Sequence, residues 1–544
     1  MTKTVTLFRG TIRTADPAAP TAKAVAVAGG VITGIDDEAL AQAGSAADCE
    51  EVQVTGALLP SFGDGHCHPL FGGLEDEGPS ISDAGSVQEI LDSVARWSAE
   101  HPDEPWVRGG SYEAALAPRG EFDARWLDSV ISDRPVALRA SDYHTLWCNS
   151  AALRLAGIDR NTPDPELGFI VRRPDGEPLG TLREWHACDL VLDAQPPYRP
   201  ETLQAALLRA GRRMAAAGIT WWQDAWVDPG SGVVDAYLAV ADALPVRADL
   251  ALRADPDRWR DQVPEFLEIR DRLAGSAAAE RVSANTIKFF ADGVIEGGTA
   301  ALLDGYTDGS GVPTERGMPV WEPTELAEAA VAFSRAGFGL HLHAIGDAAI
   351  RSALDAIAHA VALTGPLAKP PVVAHCQLID AADLPRFAAL GVIANVEPLW
   401  LCLEPGMTEL TLPRLGDRGD RQYPLADLIQ SGATVSFGSD WPISSEVPMA
   451  GIATAVSRQT ETGEPPGGWT PWQRISLTQA LQAYSANVAA QAGESGTWGR
   501  IAVGMPADLV LLDADPYEVA MADLAGIAVL GTWASGRRTH HDAG

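Results

Sequence analysis

His66 and His68 stand two residues apart, just after an apolar run that ends at Pro60-Ser61-Phe62 and just after Asp64. On an extended backbone, residues i and i+2 project to one face, so both imidazoles can reach one cation. His341 and His343 repeat the spacing after Phe338-Gly339-Leu340. The later of the two lies nearer the strand end, so His343 is the expected ligand and His341 a supporting or core residue. His375 follows Val372-Val373-Ala374, and Asp440 follows another β-rich run over residues 434–438. Each has a plainer explanation by itself. A lone histidine in such a strand is usually buried and hydrogen-bonded, and Ser439-Asp440 would also suit a helix cap. Together, four imidazoles and a carboxylate suit a divalent metal, zinc first, with iron or manganese as alternatives.

Lys288 lies inside Thr286-Ile287-Lys288-Phe289-Phe290, where a bare ammonium would be costly to bury. An ion pair, a neutral amine, or carboxylation to a carbamate that bridges two cations would each resolve the cost. Beside the other candidate ligands, the bridging carbamate is the favoured expectation, because adjacent cations lower the lysine pKa and stabilise the anion. Lys288 therefore joins His66, His68, His343, His375 and Asp440 as a candidate metal ligand, for one ion or two. A water held on such a centre has its pKa lowered towards ~7 on zinc.

Ligands at the C-terminal ends of successive strands are what a (β/α)8 barrel supplies. Nine strands are expected in the middle of the chain: residues 57–62, 135–140, 219–223, 246–253, 285–290, 339–343, 371–375, 392–396 and 434–438. Helical stretches at 326–336 and 350–363 separate some of them, giving alternating β and α units. Eight strands close a barrel, so one is spare. The gap before residue 219 is too long for one βα unit, so residues 72–200 are expected to form an insertion over the barrel mouth. Short strands at both ends, over 4–8, 24–27, 31–35 and 51–54 and again over 508–513 and 526–530, predict a small β-sandwich built from residues 1–56 and 497–544. Gly29-Gly30 marks a hairpin within it. The barrel is expected over 57–496.

The chain has 544 residues, 46% of them hydrophobic, which excludes wholesale disorder. With Lys+Arg 40 against Asp+Glu 73, its formal charge is −33. That balance argues against nucleic acid, anionic membranes and polyanionic substrates as partners, and leaves a small-molecule substrate. Six scattered cysteines without a CxxC pair suit a reducing compartment, and neither a signal-like nor a membrane-spanning run is present in the sequence. A cytoplasmic protein is expected, with homo-oligomerisation left open. Cys67 and Cys376 adjoin candidate ligands but should point to the opposite strand face and pack.

The order HxH, Lys, His, His, Asp resembles the amidohydrolase superfamily, and several segments are similar to its family 3, the YtcJ-like branch. These are Leu59-Pro60-Ser61-Phe62-Gly63-Asp64-Gly65-His66-Cys67-His68, Lys288-Phe289-Phe290-Ala291-Asp292-Gly293, His343-Ala344-Ile345-Gly346-Asp347 and Ser439-Asp440-Trp441-Pro442. A closing stretch, Gly499-Arg500-Ile501-Ala502-Val503-Gly504-Met505-Pro506-Ala507-Asp508-Leu509, is similar as well. Ser61, Gly63 and Met505 depart from the usual residues, and none is a proposed ligand. The resemblance implies that Asp440 takes a proton from metal-bound water and later passes it to the leaving amine. It also matches His144, Asn149 and Glu184 to motifs of the inserted region, where they would line the pocket or form a structural network.

Sixteen tryptophans, several near motif loops (Trp147, Trp185, Trp222, Trp226, Trp400 and Trp441), suggest a partly apolar pocket. His144, Glu184 and Trp441 are the candidate substrate-binding residues. The branch includes N-substituted formamide deformylases, so the expected reaction is hydrolysis of a C–N bond in a hydrophobic N-acyl or N-formyl amine. The alternatives are a cyclic amide, carbamate or amidine-type substrate, or a non-catalytic metal-binding protein on the same fold.

Overall fold

Eight parallel strands succeed one another around a single sheet: Phe62–Cys67, Ile219–Val227, Arg247–Arg253, Val282–Phe290, Gly339–Ala344, Val372–His375, Ile393–Val396 and Thr434–Phe437. The computed structural model describes residues 4–307 and 315–541. Past its eighth strand the chain returns to the first. The Asp440 N–H donates to the His66 carbonyl and the His68 N–H to the Trp441 carbonyl, each at 2.7 Å. The Ser439 N–H and hydroxyl donate to the Asp64 carboxylate at 3.0 and 2.5 Å. These bonds complete the ring of a (β/α)8 barrel. The approach is so close that a Cβ on Gly438 would lie 2.6 Å from the His66 nitrogen. Glycine is required there by space.

Strand alternation sorts the side chains. In Val282–Phe290, Ile287 and Phe289 pack outward with Trp321 and Phe333, while Lys288 reaches inward to His66. The helix Pro323–Arg335 begins with proline, carries Glu325 in its first turn and Arg335 in its last, and buries Leu326, Ala329, Ala330 and Phe333. Removing a side chain such as Leu326 or Phe333 from water contributes roughly 1.5–3 kcal/mol. The next helix, Asp347–Thr364, lies against it and covers the fifth strand.

Both ends of the chain meet in one seven-stranded sheet, ordered Arg537–His541, Val529–Ala534, Leu509–Leu512, Cys49–Pro60, Val5–Arg13, Thr21–Ala28, Val31–Ile35. Phe8, Val25 and Ile32 from one end of the sheet share a core with Leu509, Leu511 and Trp533 from the other. Residues 1–3 and 542–544 of the expected sandwich lie outside the described residues. The segment expected as the first barrel strand, 57–62, instead ends a strand of this sheet. Ala57 to Pro60 pair antiparallel with Leu512 to Leu509, and the chain crosses into the barrel only at Phe62. The apolar run 57–60 serves this sheet because Leu509–Leu512 offers it an equally apolar partner.

The spare strand belongs elsewhere. Val136–Ala140 sits in a five-stranded sheet with Val107–Tyr112, Thr145–Cys148, Pro178–Arg183 and Phe169–Arg172, between the first and second barrel strands in sequence. Among the described residues no helix is long and apolar enough to cross a membrane.

Candidate metal centre

At the C-terminal end of the barrel, polar side chains from six strands converge in a buried cluster. His68 Nε2 lies 2.9 Å from Asp440 Oδ1, and His66 Nε2 lies 3.4 Å from the same oxygen. Lys288 Nζ is 3.2 Å from His66 Nε2. The His375 ring centroid is 4.7 Å from that of His66 and 4.4 Å from that of His343. All six expected ligands are buried, with His66 and Lys288 at 0% exposure. His68, at the start of the helix Pro69–Glu75, has left the strand yet still faces Asp440.

The arrangement has the chemistry of a cation site. One donor atom each from His66, His68 and Asp440 lies within 4.8 Å of the others, and so does one each from His66, His375 and Glu397. His66 belongs to both groups. Polar atoms of these residues are buried without a hydrogen-bond partner among the described residues: His68 Nδ1, His375 Nε2 and Glu397 Oε1. Buried polar atoms are rarely left so, and a divalent cation would satisfy them. His375 and Asp440 also hold left-handed backbone conformations, φ 73° and 53°. Such strain in non-glycine residues costs on the order of 1–3 kcal/mol and gathers at functional positions.

Burial lowers the pKa of His66 and His343 well below the usual histidine range, helped by neighbouring positive groups, so both rings are neutral lone-pair donors near pH 7. Burial brings Lys288 down to about 7, making a neutral amine accessible. Asp440 runs the other way. Burial opposes its charge, but the nearby His68, His375 and Lys288 outweigh that and hold its pKa below the usual carboxylate range.

His343 lines the cavity beside the cluster, with Nε2 directed at the Gly293 carbonyl, 3.3 Å away. His341 contacts His66 instead, Nε2 to Nδ1 at 2.8 Å, and so orients that ring. Asp292 accepts from the Ile345 and Gly346 amides and fixes the loop after the fifth strand. Cys67 and Cys376 turn their thiols to the carbonyls of Gln223 and Val373, away from the imidazoles.

A cavity of about 1020 Å³ opens above the cluster. Trp226, Phe290, Trp400, Met407 and Leu410 form apolar walls, and the inserted region contributes Tyr143 and His144. His144 Nδ1 is 2.8 Å from Glu184 Oε2, and its ring lies 5.4 Å from that of His343. Glu184 stands behind His144, buried and bonded to the Thr299 hydroxyl, rather than on the cavity wall. Trp441 is also placed away from the wall. Its ring packs on Gly72 and under the Arg213 guanidinium, 5.4 Å from the centroid. Asn149 caps the helix Ser150–Leu155 and accepts from Val136, a structural role.

Glu397 is absent from the residues expected at the centre, and Trp400 was expected only as one of several tryptophans near motif loops. Glu397, at the end of the seventh strand, places Oε2 3.0 Å from His375 Nδ1. Trp400 stacks on the same ring, with centroids 5.6 Å apart and planes 5° from parallel. A carboxylate directly after the run Ile393–Val396 was the available signal for Glu397.

The chain is 28% identical over 525 residues to the YtcJ protein of Bacillus subtilis (strain 168), covering 95% of each. It is 28% identical over 545 residues to the N-substituted formamide deformylase of Arthrobacter pascens, covering 97% of each. The crystal structure of an uncharacterized metal-dependent hydrolase from Pyrococcus horikoshii OT3 shares the fold, with TM-score 0.73, 21% identity and coverage of 95% of this chain and 99% of that one. The family model described as "Amidohydrolase family" matches residues 56–540, and the chain belongs to that family.

Proposed function

We propose that this member of the amidohydrolase family, a metal-dependent hydrolase, cleaves the C–N bond of a hydrophobic N-acyl or N-formyl amine, with Asp440 as the proton carrier. The observation that carries the reading is the convergence of His66, His68, His375 and Asp440, with unpartnered donor atoms, beneath a large cavity. The similarity to an N-substituted formamide deformylase over nearly the whole chain supports the substrate class. A divalent cation held by these residues supplies Lewis-acid polarisation and a water acidic enough to ionise near neutral pH. Zinc would suit the mixed nitrogen and oxygen donors, and Lys288, buried against His66, would be the residue to take up carbon dioxide as a carbamate ligand.

Asp440 is charged near neutrality and can accept a proton. Having taken one from the attacking water, it returns it to the amine nitrogen as the C–N bond breaks. His144, held through Nδ1 by Glu184, keeps Nε2 for a polar atom of the substrate. Trp226, Phe290 and Trp400 would receive the apolar amine substituent. The cavity wall also carries Asp83, Glu113, Glu296, Glu404 and Glu461, and no arginine among the described residues, which disfavours anionic substrates. Six free cysteines suit the reducing cytoplasm.

The test is turnover of the metal-loaded enzyme on a panel of N-formyl amines, N-acyl amines, lactams, carbamates and aminated heterocycles. Release of formate or another carboxylate together with an aryl- or alkylamine is expected. Turnover confined to the cyclic or aminated compounds would reject the substrate class.

A further inference from the structure

The expected ligands come from the first, fourth, fifth, sixth and eighth strands, yet the seventh strand also delivers a carboxylate to the same place. Glu397 is buried at 0% exposure, and nothing in the proton transfer above uses it. Its Oε2 lies 3.0 Å from His375 Nδ1, while Oε1 has no hydrogen-bond partner. On the other side of the ring, His375 Nε2 is buried and equally unpartnered. Trp400, three residues after Glu397, lies parallel to the ring, with centroids 5.6 Å apart. The segment after the seventh strand thus grips His375 by one nitrogen and one face and leaves the other nitrogen bare.

We propose that Glu397 belongs to the metal centre as the positioning residue of His375, fixing its Nδ1–H tautomer so that the Nε2 lone pair faces the cation. A carboxylate oxygen offers lone pairs, and the 3.0 Å contact of Oε2 with the ring is a hydrogen bond when Nδ1 carries the proton. A ring nitrogen that binds a metal must be free of one, so the contact selects the tautomer the metal needs. Carboxylate partners of metal-bound histidines act in this way, and their removal costs roughly 10–100-fold in metal affinity. The bare Oε1 fits the same picture. A buried carboxyl oxygen without a hydrogen-bond partner gains from positive charge held close to it.

The inference rests on the metal-centre reading, and one experiment separates the two. Zinc stoichiometry and affinity are measured for the full chain, Glu397→Ala and Glu397→Gln by competition with a chromogenic chelator. His375 is followed in ¹⁵N-histidine spectra, assigned with His375→Gln. A parent chain that binds no zinc would reject the centre itself. If the parent binds zinc, Glu397→Ala should lose roughly 10–100-fold in affinity and the Nδ1–H signature of His375. Glu397→Gln, whose amide oxygen can still accept from Nδ1–H, should recover much of both. Unchanged affinity and spectra in Glu397→Ala would overturn the proposal. So would equal losses in the two variants, because the metal would then require the carboxylate itself. Should Glu397→Ala fail to fold, Glu397→Gln decides alone. Retention of the Nδ1–H signature supports the role, and its loss in a folded, zinc-binding protein removes it.

Discussion

Asp440 meets His66 twice: its backbone N–H donates to the His66 carbonyl at 2.7 Å, and its Oδ1 lies 3.4 Å from His66 Nε2. The bond that closes the barrel and the contact that begins the metal cluster therefore join the same two residues. Barrel closure and site assembly are one event, and damage to either should reach the other.

That coupling is testable at Gly438. A methyl group there would meet the His66 nitrogen at 2.6 Å. Gly438→Ala should destabilise the protein by about 1–3 kcal/mol through overpacking and should weaken zinc binding as His66 is displaced. Thermal melting and chelator competition measure the two effects. A melt and an affinity both equal to the parent's would show that the two strands separate without consequence.

Asp440→Asn preserves shape but removes the proton acceptor. Turnover should fall by roughly 10²–10⁴-fold while zinc content stays near that of the parent. Elemental analysis beside steady-state rates checks it. An unchanged rate takes the proton-carrier role away from Asp440.

Lys288→Ala should reduce the metal held per chain if a carbamate bridges two cations. Full metal content in that variant argues against the bridge. The metal-free protein offers a second reading of the same residue. Burial brings the folded pKa to about 7, far below that of an unfolded lysine, near ~10.4. Between those values the unfolded chain binds the extra proton, so the Lys288 contribution to stability rises with pH from about 7 upward. Melting temperatures of the chelator-treated parent and of Lys288→Met, compared between pH 7 and 9, should show a smaller rise in the variant. Parallel curves would mean that Lys288 is paired in the metal-free state.

Removal of the divalent metal should itself lower the melting temperature, because unpartnered buried donors are left behind. At a free zinc concentration of a hundred times Kd, a single site stabilises by about 2.7 kcal/mol. Differential scanning calorimetry with and without chelator measures it. Equal melts would leave the cluster without a resident ion.

The candidate ligands were legible because metal chemistry restricts them to a few residue types and strand geometry restricts where they fall. His66, His68, Lys288, His375 and Asp440 could be named from their spacing after apolar runs, and the composite terminal sheet from strand texture at both ends. Partners were not legible, because contact between distant segments leaves no local pattern. Strand position separated His343 from His341, but did not show the contact by which His341 holds His66. Trp441 looks like a pocket residue beside Asp440, yet the turn after the eighth strand carries it onto Gly72. The run 57–60 reads as a barrel strand, since an apolar strand buried in either sheet has the same composition.

The sequence by itself determined which side chains could bind a cation and that successive strands would deliver them to one end of a barrel, since both follow from residue chemistry and periodicity. Only the tertiary structure decided which nitrogen each histidine presents, that Glu397 and Trp400 hold His375, and which aromatic rings face the cavity. Those depend on close approach between strands far apart in the chain, where a shift of about one residue exchanges the inner and outer faces of a strand.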